Sequence, residues 1–590
     1  MEFSHQVYLD PLDNVQLLWS TDNSMIKFEV RAYTTGYVGI GFSSNGGMRG
    51  SDVVLVWVKD GVPYISDRHC IGNEEPRVDT QNDYELLYGS EVDGLTVVGY
   101  QRKMITCDVN DYDITADTVR VIWSYHSEDP FNYTKATYHG PRHRGVRSII
   151  FMDVIPPNDT LPEDASSFDF LIDNIIVPND TDTTYWFYHM QLPRLANENH
   201  IIRIDPVIQP GNEGIVHHLI VKECHGLGRI NGTGSLNIKS KDMYMFKSCS
   251  KQIYAWSVGG GALTFPEHVG YRIGGENEIK YLQLNIHYDN PQFLTGIRDS
   301  SGVRIYYTPT LRQYDSSMMM IGFPGSSLFI IPPREEAFRV YGSCSATCTK
   351  QMLSGEEMKI FAVSFHAHLA AIAMRLTHYR NGKYIGEISR DKTYDFNLQE
   401  FRYLKDEWIV KPGDDLLVEC VYKTMDREKV TFGGLSSRDE MCSAFIFYYP
   451  KVNAGNCYSV PQQKNLHLNL DNSKDVRESI ESIEWTDEKR NVIRNWWYDT
   501  PRMSRCTSNF LEGYKNYYEE TSLKEIIALQ NGSVEESNSN CSSYEDRSTS
   551  QGRVNLTVPK LNTVVFMNMD MPEVSPDKAK SKFSLPFTDI

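Results

Sequence analysis

The chain lacks any unbroken apolar run of about 18 residues or more, so the sequence predicts no transmembrane helix. It is short of basic side chains: 59 Lys and Arg stand against 77 Asp and Glu, a net charge of −18. An acidic surface repels phosphate backbones, which sets nucleic acid aside as a partner. The opening Met1-Glu2-Phe3-Ser4-His5 has neither a basic segment nor an apolar one, so no signal peptide is expected in this chain. No short internal repeat is present.

What is present is globular in composition. Of 590 residues, 41% are hydrophobic, 23% charged and 12% aromatic, which excludes wholesale disorder. The length alone suggests roughly four structural units. Eleven cysteines occur at spacings unlike zinc knuckles. The glycosylation sequon recurs at Asn132, Asn158, Asn179, Asn231, Asn531, Asn540 and Asn555. Together these point to the secretory pathway, either lumenal (endoplasmic reticulum or vesicles) or secreted. The terminal Ser584-Leu585-Pro586-Phe587-Thr588-Asp589-Ile590 carries neither a retention tetrapeptide nor an anchor signal.

The pattern is all-β over most of the chain. Residues 5–155 hold short apolar or alternating runs such as Gly36–Phe42, Asp52–Val58 and Thr118–Trp123. Asp60-Gly61, between Trp57 and Tyr64, is a hairpin signal. A linker is expected at Pro156-Pro157-Asn158-Asp159. Two more β blocks follow at 165–300 and 303–465. Residues 466–590 read as a partly helical extension, with helix signals in Lys474–Trp497 and after Ser522, and a polar tail that is expected to be mobile.

Histidines stand out within the strands. His217-His218 lies in one apolar run, His287 near the end of another, and His366-Ala367-His368 in a third. Strand side chains alternate, so His366 and His368 share a face and could converge on one metal ion. Adjacent His217 and His218 would point to opposite faces, and joint ligation there requires a bulge or a twisted strand end. Any one of these features alone is as well explained by ordinary buried or polar histidines.

Taken together they resemble a known arrangement. Val216-His217-His218-Leu219, Leu284-Asn285-Ile286-His287-Tyr288, Phe365-His366-Ala367-His368-Leu369, Gly433-Gly434 followed by Glu440-Met441-Cys442, and Phe447-Tyr448-Tyr449-Pro450 occur in order. The chain resembles the copper type II, ascorbate-dependent monooxygenases, in particular their dopamine β-hydroxylase-like branch, over about residues 5–510. The resemblance implies a DOMON β-sandwich (5–155), two jelly-roll-like copper-binding sandwiches (165–300 and 303–465) and the extension. It implies an electron-transfer copper on His217, His218 and His287, and an O2-binding copper on His366, His368 and Met441. Imidazole suits copper in both oxidation states, and a thioether favours Cu(I). Ascorbate would be the reductant and O2 the co-substrate. The two coppers would stand apart across a solvent-filled cleft. The implied activity is hydroxylation of a C–H bond in a small hydrophobic, amine-like substrate.

The same resemblance implies the disulfides Cys224–Cys249, Cys344–Cys457, Cys348–Cys506, Cys420–Cys442 and Cys107–Cys541, with Cys70 left over. Phe187 stands where several relatives carry a further cysteine. The interchain cysteines of some relatives are absent between 457 and 506, so any homodimer would be non-covalent. Two positions bear on substrate. Ser364 replaces the Arg with which peptide-amidating relatives hold a carboxylate. Phe445 replaces a common Tyr and removes a hydroxyl donor near the O2 site. Tyr448 is a candidate catalytic residue, and Glu223, sharing strand parity with His217, a candidate partner for a substrate ammonium. Asp52 and Asp83 match a metal-holding position of the DOMON domain, although turn and cap roles explain them as well. The rival to an enzyme is a copper- or ligand-binding secretory protein on the same fold without turnover.

Overall fold

The computed structural model describes residues 3–506 except 11, 23, 155–159, 194, 196, 225–231, 236–248, 250, 276–280, 324–327, 453–454, 463–465, 467 and 469–474, and beyond them the strand Tyr517–Thr521. For that strand and for Gly232–Ser235 the backbone alone is described. The expected linker at 156–159, the helix signal after Ser522 and the polar tail lie outside the described residues.

The N-terminal residues build two antiparallel sheets. One has five strands in the order His5–Tyr8, Val15–Asp22, Met25–Tyr33, Leu95–Lys103 and Glu85–Val92. The other has six, in the order Arg144–Ile149, Val119–Tyr125, Val38–Ser43, Asp52–Lys59, Val62–His69 and Arg77–Val78. Alternate residues of these strands, among them Leu17, Phe28, Val30, Phe42, Val54, Tyr100 and Val121, meet in one core, as period-two patterning requires. The Asp60-Gly61 hairpin is present: both residues have positive φ, and Trp57 stacks on Tyr64 across the pair.

The middle residues form a sheet of Ser166–Leu171, Gly302–Thr308, Glu198–Val207, Val269–Gly274 and Tyr314–Asp315. Its partner sheet runs Gly232–Ser235, Thr183–Gln191, Tyr281–Asp289, Val216–Cys224 and Lys251–Ser257. The third pair sets a seven-stranded sheet, whose inner strands include Met358–His366, Cys442–Tyr449 and Ser317–Phe323, against a sheet of Phe338–Cys344, Asp414–Tyr422, Ala371–Arg380 and Lys383–Asp391.

One hydrophobic cluster runs through both of these sandwiches. It joins Leu219, Trp256, Leu284 and Ile286 of the middle sheets to Met318, Phe361, Phe445 and Phe447 of the seven-stranded sheet. The middle and third sandwiches therefore share a packed core.

Two helices occupy the stretch that carries the helix signals around Lys474–Trp497. Asp487–Asp499 starts at Thr486, whose side chain accepts from the Lys489 N–H, and it buries Ile493, Trp496 and Trp497 at helical spacing. Val476–Glu481 precedes it. The bonded cysteines are Cys224–Cys249, Cys344–Cys457, Cys348–Cys506 and Cys420–Cys442, while Cys70 is free and buried. Cys107 is also disulfide-bonded, and its expected partner Cys541 lies outside the described residues. Of the sequon asparagines, Asn132 and Asn179 are exposed; Asn158, Asn231, Asn531, Asn540 and Asn555 lie outside the described residues.

The Cys420–Cys442 bridge closes a loop that contains the whole Gly433–Met441 turn. The double variant Cys420→Ser/Cys442→Ser is expected to lose about 3 kcal/mol of stability by loop-closure entropy. Urea unfolding of both proteins checks this; equal midpoints would contradict it.

Candidate metal centre

His217 and His218 lie at the start of the strand Val216–Cys224, and His287 lies in the adjacent strand Tyr281–Asp289. Between these strands the register shifts: Val216 pairs with Tyr288 and His218 with His287, which leaves His217 as the extra residue. A bulge re-aims a side chain in this way, so the two adjacent imidazoles can both turn inward. The Nδ1 atom of His218 lies 3.3 Å from Nδ1 of His217 and 3.3 Å from Nδ1 of His287. Two nitrogens each about 2.0 Å from one ion, at a near-tetrahedral angle, are about 3.3 Å apart. In neutral rings His218 Nδ1 offers one proton or one lone pair to two neighbouring nitrogens, so hydrogen bonding does not satisfy all three atoms well. The spacing fits a shared cation.

All three rings are buried, and burial with mutual repulsion lowers their basicity; His217 is pushed down to about 3. The imidazoles are therefore neutral, the state a metal ligand needs. Tyr185 stacks on His287 with ring centroids 4.6 Å apart, and its hydroxyl donates to the Leu435 carbonyl oxygen.

The second set lies at the end of the strand Met358–His366. His366 Nδ1 bonds Gln399 Oε1 at 2.8 Å, and His368 Nδ1 bonds the Asp439 carbonyl at 3.1 Å. Both acceptors are oxygens, so each Nδ1 is the donor and each Nε2 keeps its lone pair. His368 Nε2 is buried with no hydrogen-bond partner among the described residues. An orphaned buried nitrogen of this kind fits a metal bond. His366 pairs in register with Ser443. Extending that antiparallel register by two residues brings Met441 opposite His368. The Met441 carbonyl accepts the Tyr422 hydroxyl, and the next residue, Cys442, is tied to Cys420. Glu440 is fully buried, and its two carboxylate oxygens accept the His368 and Ala370 N–H groups at 2.9 and 2.7 Å.

The two sets meet. The His218 and His366 rings are in edge contact with centroids 5.6 Å apart, and Phe396 stacks on His217 at 4.1 Å while its ring lies 6.2 Å from His368. A solvent-filled cleft between the sets, which the resemblance implies, is not the arrangement found. The shared hydrophobic core draws the sandwiches together until the imidazoles touch.

Two sequence candidates are not brought to this place. Glu223 stands six residues from His217 along its strand, on the order of 20 Å away, where its carboxylate accepts the Tyr271 hydroxyl in a buried pair. Parity alone brought it forward; strand length removes it. Tyr448 is fully buried opposite Ser317 and Ile360. Strand alternation sets it on the other face from Phe445, which lies 6.4 Å from His366 between ring centroids. Ser364, buried and paired with Phe445, does lie on the His366 side. In the N-terminal sandwich, Asp52 sits in a carboxylate cluster with Asp67 and Asp111 and is paired with Arg102, whereas the Asp83 carboxylate accepts from Gln81.

Comparison with known proteins bears on these features. Family models match the DOMON domain at residues 11–126, the copper type II ascorbate-dependent monooxygenase N-terminal domain at 168–295 and its C-terminal domain at 314–469. Human DBH-like monooxygenase protein 1 is 38% identical over 470 residues, covering 78% of this chain and 75% of that protein. The chain belongs to the copper type II ascorbate-dependent monooxygenases. Mouse DBH-like monooxygenase protein 2 is 37% identical, over 82% of this chain and 78% of its own length. Human dopamine beta-hydroxylase is 30% identical, over 92% of this chain and 90% of its own. Among solved structures, the cytochrome b domain of pyranose dehydrogenase from Coprinopsis cinerea covers 25% of this chain at a TM-score of 0.22, too low to carry an argument.

In this member of the family, Tyr185, Phe396, Gln399 and Glu440 contact the clustered histidines or their backbone without having stood out as site residues in the sequence. Glu440 had a visible signal, an acid beside Met441 at the head of the mostly apolar strand Cys442–Tyr449. Gln399 and Phe396 lie in a loop with no periodicity to mark them.

The buried imidazoles make a pH prediction for metal-free protein. Their folded-state pKa values lie below the 6.5 of an unfolded chain, so the unfolded state binds more protons in acid. Stability is fully present above about pH 6.5 and should fall as pH drops toward 3. Thermal unfolding between pH 7 and 4 measures the slope. A His217→Asn/His287→Asn variant with an unchanged slope would contradict this assignment.

Proposed function

We propose that this chain hydroxylates a C–H bond of a small, hydrophobic, amine-like molecule. O2 is the oxidant and ascorbate the one-electron donor, used twice per turnover. The substrate R–H, O2, two electrons and two protons give R–OH and water. The observation that carries the reading is the pair of buried, neutral imidazole sets in a single interior, His217, His218 and His287 in one and His366 and His368 in the other; Met441 is assigned to the second set by continuing the strand register. Copper bound there would supply one-electron transfer and O2 reduction, and a count of two per chain follows from two sets.

The chain's own groups hold this arrangement. Gln399 and the Asp439 carbonyl fix the tautomers of His366 and His368 so that each Nε2 is the free donor. Glu440 anchors the backbone after His366. Phe396, Phe445 and Tyr185 exclude water around the rings. Substrate preference follows from charge. Ser364 offers no guanidinium to a carboxylate, and the net charge of −18 favours cations over anions. The disulfides suit the lumen of the secretory pathway or the exterior of the cell.

Copper-reconstituted protein should bind two coppers per chain and convert phenethylamines to hydroxylated product with ascorbate and O2. Met441→Ala should lower product formation by at least about 100-fold. Wild-type protein with two coppers, and no product from any amine tested, would favour the non-catalytic binding reading. A phenethylamine should exceed the isosteric phenylpropionate by roughly tenfold or more in kcat/KM; a preference for the carboxylate would overturn the substrate class.

A further inference from the structure

One loop reaches from the N-terminal sandwich into the metal centre. It spans residues 392–401, between the strands Lys383–Asp391 and Arg402–Val410. At its outer end Asp391 is 1% exposed, and its carboxylate accepts the Thr118 N–H at 3.0 Å, the Thr118 hydroxyl at 2.6 Å and the Arg402 guanidinium at 2.6 Å. The Lys392 N–H returns a bond to Asp117, and the Thr393 hydroxyl donates to the Thr118 carbonyl. Arg120 donates to the carbonyls of Thr393 and Tyr394 at 3.1 and 3.0 Å and pairs with Asp395. The anchors are thus the first residues of the strand Val119–Tyr125 and those just before it.

The inner side of the same loop touches three ligand histidines or their backbone. The Tyr394 hydroxyl donates to the Ala367 carbonyl at 2.8 Å and accepts the Ala367 N–H at 3.1 Å, holding the residue between His366 and His368. Phe396 stacks on His217, and Gln399 bonds His366. Gln399 is itself tied down, its amide donating to the Phe396 carbonyl and its backbone N–H to Val258, whose own N–H donates to the His217 carbonyl. The packing is close: a Cβ at Gly259 would lie 2.6 Å from the Asn397 carbonyl oxygen, and Gly259 has φ +85°.

We propose that the N-terminal sandwich positions the metal centre, with Thr118, Arg120 and Asp391 as positioning residues that act through the 392–401 loop on His217, His366 and the Ala367 backbone. The anchors bind no ligand nitrogen. Their effect passes from the Thr118–Asp391 hydrogen bonds along five residues of chain to Phe396, and then to the imidazoles. Buried charge-assisted bonds of this kind are the strong ones, so the loop should be held more firmly than its lack of regular structure suggests.

The inference rests on the ligand assignment above, and its primary readout needs no copper. Amide hydrogen exchange would be followed in the full-length, metal-free protein for the wild type, Thr118→Val, Arg120→Gln and Asp391→Asn. The partly exposed Arg120 gives a variant that folds if the buried substitutions do not. Thr118→Ser, which keeps the hydroxyl, is the rescue, and Arg31→Ala, on the other sheet of the same sandwich, is the control. The variants should raise exchange roughly tenfold at Ala367 and across Tyr394–Gln399, with Leu416–Cys420 unchanged. Thr118→Ser should restore protection. In copper-loaded samples the Cu(II) electron paramagnetic resonance hyperfine splitting should shift in the variants and not in the control. Faster exchange confined to 116–120 and 391–393, with Ala367 and Gln399 still protected and the Cu(II) spectrum unmoved, would reduce the contact to simple docking and overturn the proposal. No change at any of these positions would overturn it equally. Failure of the wild type to bind copper would strike the proposed function and leave the exchange result standing.

Discussion

Five imidazoles buried in one interior are the constraint on which this structure turns. His217, His218, His287, His366 and His368 are each at most 8% exposed. A charged imidazole there would face neighbouring rings in low dielectric, so the rings stay neutral. Neutral rings must still place their lone pairs. At His218 the nearest polar atoms are other imidazole nitrogens, and at His368 Nε2 there is none among the described residues. Such a set is one that a shared cation would complete, so the packing as well as the residue types favours a metal there.

The surrounding architecture meets that constraint piece by piece. A bulge at His217 turns two adjacent side chains to one side. Oxygen acceptors at Gln399 and Asp439 choose the tautomers of His366 and His368. Glu440 and the Cys420–Cys442 bridge hold the backbone on either side of Met441, and the aromatic rings of Tyr185 and Phe396 cover the histidines. Several of these supports lie in turns, where strand hydrogen bonds cannot do the positioning. The 392–401 loop extends the same logic outward, since its fixed points lie on another sandwich.

Much of this was legible in the sequence. Period-two runs such as Val38–Ser43 and Tyr281–Asp289 specify strands because alternate side chains share a face, here with both faces buried, and Asp60-Gly61 specifies its hairpin because both residues tolerate positive φ. The histidine motifs were legible as an ordered set. The bulge could be named as a requirement, but its position is set by the pairing of Val216 with Tyr288, which local sequence does not encode. Glu223 shows the limit of parity: it counts faces and ignores distance along the strand. Tyr448 shows the reverse, since its odd separation from Phe445 already placed it on the far face. Gln399 and Phe396 were invisible because loop residues reach a site through tertiary contacts alone. The closeness of the two histidine sets depends on a core shared between sandwiches, a feature of packing with no local signature.

X-ray absorption at the copper edge of the reduced, copper-loaded protein tests the central claim most directly, because it counts the donor atoms themselves. The account predicts nitrogen donors at both coppers and a sulfur donor at one of the two, with the sulfur contribution lost in Met441→Ala. A nitrogen-only environment in the wild type, or sulfur scattering that survives removal of Met441, would contradict it.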